Sequence, residues 1–209
     1  MLASGKMDLL AVGETMVIVT PTTSRRRGGY VPRRDGAGRP DGDLLQARRR
    51  RAIQSAADLD ALRAVAAAGA ERDLRVGAGT VLDPGQLPSI REAGAAYTAS
   101  PGTDDDVIRA SLDAGLPTLP GVASASEIQR CRRFGLTWLK AFPAQTLGPR
   151  WIRAMHGPFP EAVFVSTGGV SSANAEELLS AGTRVVAFGS VLENPAELAH
   201  MSRLAACPA

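Results

Sequence analysis

From about residue 53 onward, short apolar runs alternate with stretches whose apolar residues recur at helical spacing. Leu59, Leu62, Val65 and Ala66 fall on one face of a predicted helix over 55–70, and Ser55 with Asp58 three on gives it a capping-box-like start. LRVGAGTV (74–81) is an apolar run ending in glycines and reads as a buried strand. The same alternation predicts helices over 83–94, 103–115, 124–135, 147–156, 173–181 and 195–206. It predicts strands over 95–100, 116–121, 136–143, 162–167 and 184–190. Thr103 with Asp106, and Ser124 with Glu127, mark two of the helix starts, and glycines at 94, 115 and 135 mark helix ends.

Strands repeating at roughly 20-residue intervals, each followed by a helix, are parallel strands joined by right-handed crossovers. Six such strands follow residue 70, whereas a closed (β/α)8 barrel needs eight. The prediction is therefore an α/β fold of the TIM-type (β/α)8 barrel class over 53–209, irregular or incomplete at its N-terminal side. Ahead of it, residues 1–52 hold one candidate strand or hairpin at 7–20. Residues 22–51 are rich in Arg, Gly and Pro without apolar period, and are expected to be coil.

Charge sharpens that division. Residues 22–51 carry ten arginines against three aspartates, a local +7 in a chain whose total is +3, so the rest is at −4. A solvated basic run is the reading the segment supports; a nucleic-acid arm would need more than the single aromatic Tyr30, and nucleic acid is not expected as a partner. Apolar residues at 44% and charged residues at 22% exclude wholesale disorder. No run approaches the length of a membrane-spanning helix. Met1–Thr20 carries Asp8 and Glu14 and makes a poor signal peptide, which leaves a cytoplasmic protein as the expectation. Cys131 and Cys207 read as two reduced thiols, and His156 and His200 are too few for a His-rich metal site.

Of the 24 basic residues only Lys6 and Lys140 are lysines. Under so strong an arginine bias, a lysine in an apolar strand invites a chemical reason, because arginine cannot supply a deprotonatable amine. In TWLKAFPA (137–144) the period-two alternation sends Trp138, Lys140 and Phe142 to one face and Leu139 and Ala141 to the other. In a barrel the first face points inward, which places Lys140 among apolar groups that disfavour the ammonium and lower the pKa. A neutral amine there can form a Schiff base with a carbonyl carbon. A lysine paired with an acid, or snorkelling to the rim, fits the same spacing.

Thr167-Gly168-Gly169 and Gly189-Ser190 close the last two strands, where barrels of this type often bind phosphate through backbone N–H groups. The glycines could equally serve only tight turns. Gly77-Ala-Gly79-Thr80-Val81 lacks the third glycine of a dinucleotide fingerprint and the acid that should follow. Its glycines fit better as an opening for a ligand at the barrel top, with the Thr80 hydroxyl as donor.

VGAGTV, TASPG, LPGV, LKAFPA, STGGV and FGS occur in the order and at the spacing of the KDPG/KHG aldolase family, which the chain resembles over about residues 55–200. The segment from Gly135 through Leu139, Lys140, Phe142, Pro143 and Ala144 to Gly148 is similar to that family's Schiff-base signature; Ala141 departs, where a bulkier residue is usual. The resemblance implies a class I aldolase that cleaves 2-keto-3-deoxy-6-phosphogluconate (KDPG) to pyruvate and glyceraldehyde 3-phosphate, or alternatively a 4-hydroxy-2-oxoglutarate aldolase. It implies Lys140 as the imine-forming residue, Thr80 at the pyruvate carboxylate, Pro101 and Phe142 lining the pocket, and Gly168, Gly169 and Ser190 at the phosphate. No metal or organic cofactor is expected, the partner is a phosphorylated keto acid, and the assembly implied is a homotrimer.

The front of the chain departs from the family. Its second strand should end in Glu-x-Thr-Leu-Arg, the glutamate working with a water as general acid/base and the arginine gripping the substrate carboxylate. No such motif occurs; counting back from Arg63, Arg50 and Gln54 stand near the expected positions. Residues 7–21, MDLLAVGETMVIVTP, instead resemble the opening strand of ribokinase-type 2-keto-3-deoxygluconate kinases, whose later ATP motifs are absent. A kinase-like start joined to an aldolase without its first quarter could arise by rearrangement or frameshift. The rivals to a working aldolase are thus an impaired enzyme and a non-catalytic phosphosugar-binding or structural remnant.

Overall fold

The computed structural model describes residues 16–19, 26–27, 47–48, 56–71 and 75–188. The predicted helix at 195–206 and most of the segment 1–52 lie outside the described residues. Strand β1 is Met16–Val19; β2 (Arg26–Arg27) and β3 (Ala47–Arg48) form a two-residue antiparallel pair inside the segment expected to be coil. Helix α1 spans Ala56–Ala70 and leads into β4, Arg75–Gly79. Then follow α2 (Leu87–Glu92), β5 (Tyr97–Ala99), α3 (Asp105–Asp113), β6 (Thr118–Leu119), β7 (Gly121–Val122) and α4 (Ala125–Arg132). The described part closes with β8 (Trp138–Ala141), α5 (Ala144–His156), β9 (Val163–Thr167), α6 (Ala175–Ser180) and β10 (Val185–Ala187).

All the strands of this β/α run are parallel, in the orders β1-β4-β5-β6 and β7-β8-β9-β10. The predicted strand at 116–121 is divided at Pro120, which has no N–H to give a ladder. Pro120 still bridges the halves, because its carbonyl accepts from Lys140 N–H at 2.9 Å while Leu119 carbonyl accepts from Ser100 N–H at 3.2 Å. Strands therefore follow one another across the sheet in chain order, with helices between them, which is the TIM-type barrel arrangement.

Two faces of this sheet hold different cores. Outside, Leu139, Ala141 and Phe164 pack with Ile108, Ile128, Cys131 and Ile152 of the covering helices. Val76 and Ala78 of β4 pack with Leu62, Leu87, Ile90 and Val107, and Leu59, Val65 and Ala66 lie against that cluster as the α1 periodicity predicts. Inside, Ala99, Leu119 and Val165 form a layer with Trp138, Val185 and Ala187. Each fully buried Leu, Ile or Phe contributes about 1.5–3 kcal/mol of transfer free energy, which fixes the strand faces.

Local starts follow capping chemistry with one correction. Ser124 caps α4: its Oγ accepts from Glu127 N–H, and Glu127 Oε2 accepts from Ala123 N–H at 2.8 Å. Thr103 does not open α3. Asp104 does, accepting from the N–H groups of Asp106 (3.0 Å) and Val107 (2.9 Å). An ionised carboxylate is the stronger acceptor for first-turn N–H groups, and the Thr103 hydroxyl is drawn elsewhere, to the carbonyl of Gly121 at 2.8 Å. Helix α5 begins at Ala144 and not at 147, but is broken at Gly148, where φ is +72°.

Candidate active site

Parallel strands present all their C-terminal ends on one rim, so the sequence-predicted residues gather there as the βα order requires. Thr80 follows β4, Pro101 follows β5, Phe142 follows β8, and Gly168 and Gly169 follow β9. Lys140 sits one residue before the end of β8, between Gly121 of β7 and Val165 of β9 in register. Its inward direction follows from the neighbours: Trp138 joins the inner layer, whereas Leu139 and Ala141 pack under the helices. Lys140 is buried, with 8% of its surface exposed.

Its Nζ lies 4.5 Å from the centroid of the Phe142 ring. The ring in turn presses on the β9 loop, for a Cβ placed on Gly168 would stand 2.7 Å from a Phe142 ring carbon. Lys140, Phe142 and Gly168 are thus a contiguous row, and residue 168, with φ +89°, must be glycine for the row to close. The Phe142–Pro143 peptide within this row is cis.

The Pro101 backbone lies over Gly121, on the strand beside the lysine's own. The loop after β5 crosses directly over Gly121, leaving no room for a Cβ there. Gly121 N–H donates to the Gly102 carbonyl at 3.2 Å, and the Thr103 hydroxyl donates to the Gly121 carbonyl. Because Gly121 is the register partner of Lys140, this clamp sets Pro101 next to the lysine's own strand. Thr80 is tied to the same rim through Val81 N–H, which donates to the Ala99 carbonyl at 3.2 Å. Among the described residues it is the non-glycine residue with a positive φ, +61°. A β-branched residue held there costs of order 1–3 kcal/mol, a cost that clusters at ligand sites.

The β9 loop has its own framework. Gln145 N–H donates to the Gly168 carbonyl at 3.0 Å, the Asn174 amide donates to the Gly169 carbonyl at 3.0 Å, and Asn174 Oδ1 accepts from Ser171 N–H at 2.9 Å. Ser190 and Gly189 lie outside the described residues; β10 runs beside this loop, with Ala187 the register partner of Thr167. Gln145, Asn174 and Thr103 are contributions that the sequence pattern did not single out as parts of the site. Asn174 does stand at a helix start, three residues after Ser171, a position favoured for a side-chain cap.

Beneath the rim, the Cys131 thiol lies 3.6 Å from the Thr103 hydroxyl, and burial pushes its pKa up to about 11 despite that contact. Burial also raises Tyr97 well above the ordinary phenol value. Its ring fills the space over Gly77, where a Cβ would overlap it. Among the described residues no group of three or more His, Cys, Asp or Glu could hold a metal ion, and no helix is long and apolar enough to cross a membrane.

The described site thus sets a buried lysine against a phenylalanine, beside a glycine-rich strand end. The family model for KDPG and KHG aldolase matches residues 51–206. The chain belongs to that family. It is 47% identical over 108 residues to the 2-dehydro-3-deoxy-phosphogluconate aldolase of Pseudomonas aeruginosa, covering 51% of this chain and 49% of that protein. It is 39% identical over 141 residues to the like-named aldolase of Pseudoalteromonas atlantica, 67% of this chain and 65% of the relative. Among solved structures, KDPG aldolase from Legionella pneumophila, with pyruvate captured as a covalent carbinolamine, superposes with a TM-score of 0.61 at 30% identity, covering 74% of this chain and 77% of that one. The matches to these curated relatives span about half to two thirds of the relatives' own length.

Proposed function

We propose that the chain is a class I aldolase acting on KDPG, with Lys140 as its nucleophile. The observation that carries this reading is the inward, buried placement of Lys140 near the end of β8 against Phe142. The Lys140 amine attacks the C2 carbonyl, and the carbinolamine loses water to give an iminium. The C3–C4 electron pair then passes toward the iminium nitrogen, the C4 hydroxyl gives up its proton to water, and glyceraldehyde 3-phosphate leaves. The remaining enamine is protonated at C3 and hydrolysed to pyruvate and free Lys140. The iminium supplies the electrophile, so the sequence of steps balances without a metal or organic cofactor. Thr80 would bind the pyruvate carboxylate, Pro101 and Phe142 would line the pocket, and the Gly168–Gly169 turn with Ser190 would bind the phosphate.

Borohydride reduction in the presence of pyruvate tests the central claim. The protein should be trapped as a stable secondary amine at Lys140, and Lys140→Arg should not be trapped. Trapping that survives Lys140→Arg would move the nucleophile to Lys6, the remaining side-chain amine. The glycine turn favours KDPG over 4-hydroxy-2-oxoglutarate as substrate. By family resemblance the reaction belongs to the Entner-Doudoroff sequence, in the cytoplasm and on a homotrimer, whose mass light scattering would report.

A second reading has its own support. β1, the strand beside β4, has the sequence Met-Val-Ile-Val, without a carboxylate or a guanidinium. A chain with the Lys140 amine but no base on that strand would form the pyruvate imine and cleave KDPG slowly.

A further inference from the structure

The β9 loop is built so that the carbonyls of both its glycines are drawn into the protein. Gly168 C=O is taken by Gln145 N–H of α5 and Gly169 C=O by the Asn174 side-chain amide. In a trans peptide the C=O and N–H point in opposite directions. The N–H groups of Gly169 and Val170 are therefore turned away from Gln145 and Asn174. Among the described residues neither has an internal acceptor, and nor does the N–H of Gly168. Val170 is 2% exposed, and its N–H has no acceptor among the described residues, a situation in which a ligand or water ordinarily serves as acceptor. Asn174 also takes the next N–H in the series, that of Ser171, out of play.

We infer that Asn174 is a positioning residue that sets the β9 loop as an anion cradle, and through it the preference for a phosphorylated over an unphosphorylated keto acid. The inference rests on the reading of this loop as the phosphate site. Asn174 touches no substrate atom. It acts by holding one peptide plane, donating to its carbonyl on one side so that its N–H faces the other. An amide is suited to this because one side chain supplies both the donor for Gly169 and the acceptor for Ser171. Alanine supplies neither. Aspartate keeps the acceptor, loses the donor, and sets a carboxylate against the Gly169 carbonyl.

The test uses the full chain and two probes of the same amine, borohydride trapping with KDPG and with pyruvate, each followed against concentration. In the wild type, half-saturation should occur at lower KDPG than pyruvate, and inorganic phosphate should compete with KDPG alone. In Asn174→Ala the half-saturating KDPG concentration should rise roughly tenfold, the equivalent of about 1.4 kcal/mol, while that for pyruvate stays within about twofold. Asn174→Asp should show the same split and keeps the question open to measurement if the alanine variant folds poorly. If half-saturation rises equally for both probes, or for neither, Asn174 is only a structural brace of the loop and the inference is overturned. A wild type trapped by pyruvate in which phosphate fails to compete with KDPG would remove the phosphate reading and the inference with it, while leaving Lys140 as the nucleophile. Absence of trapping by either probe would instead overturn the aldolase reading itself, and the inference with it.

Discussion

Two buried acids in the barrel body, Cys131 and Tyr97, hold their protons more tightly in the folded chain than in water. The Cys131 thiol is pushed up to about 11 by burial, and burial also raises the Tyr97 phenol. Below about pH 9 both groups are protonated folded and unfolded alike, and their contribution to stability is fully present. Between about 9 and 11 the unfolded chain releases the Cys131 proton while the folded chain keeps it, so stability falls as pH rises. The denaturation midpoint should accordingly decline from pH 9 to 11, and less steeply in Cys131→Ala. Equal slopes would assign the decline to other groups. For the same reason Cys131 should resist alkylation in the native protein at pH 8, since the thiolate is the reactive form.

At the scale of elements, the loop after β9 depends on the backbone freedom of Gly168. Its φ of +89° is costly for any residue with a Cβ, and that Cβ would meet the Phe142 ring and the Pro143 Cα. Gly168→Ala should lose about 2–4 kcal/mol from the two effects together, read as a lower denaturant midpoint, and should displace the ring from Lys140. A stability within about 0.5 kcal/mol of wild type would show that the ring can retreat freely. The glycines of this loop were legible in the sequence because they stand at a strand end, and so was Lys140, whose direction follows from alternation between Trp138 and Phe142. What surrounds them was not. Thr103 and Asp104 are both good caps, and local pattern cannot rank them when a third partner, the Gly121 carbonyl, comes from a strand 18 residues on. The split at Pro120 follows from a missing N–H, yet the apolar run 116–121 shows through it as one strand. The positive φ of Thr80 and the bracing by Gln145 are set by packing between units, which no single stretch of sequence records, whereas Asn174 braces from within its own loop.

Over the whole molecule, the proposed chemistry divides between a barrel body that would carry the amine and an N-terminal strand that should carry the base. In a sequential barrel the second strand lies beside the third. Here β1 occupies the place beside β4, with Met16, Val17, Ile18 and Val19 paired to Arg75, Val76, Gly77 and Ala78. The resemblance implies Glu-x-Thr-Leu-Arg on the second strand; the sequence at this place offers only apolar residues. Imine formation needs chiefly the Lys140 amine, whereas breaking C3–C4 also needs a proton acceptor for the C4 hydroxyl. A positioned general base contributes roughly 10²- to 10⁴-fold, and a charged hydrogen bond to the carboxylate about 1.5–3 kcal/mol. Their joint loss is therefore expected to slow cleavage roughly 10³- to 10⁶-fold. The measurement compares the chain as it stands, its Lys140→Arg variant, and a chimera in which β1 and the residues after it are replaced by a Glu-x-Thr-Leu-Arg strand. The first should trap pyruvate and cleave KDPG slowly, the second should do neither, and the chimera should trap to a similar extent and cleave at least about a thousandfold faster. Cleavage by the unaltered chain as fast as by the chimera would mean that the base comes from elsewhere in the protein, and that β1 fills a gap in the sheet without costing the enzyme its chemistry.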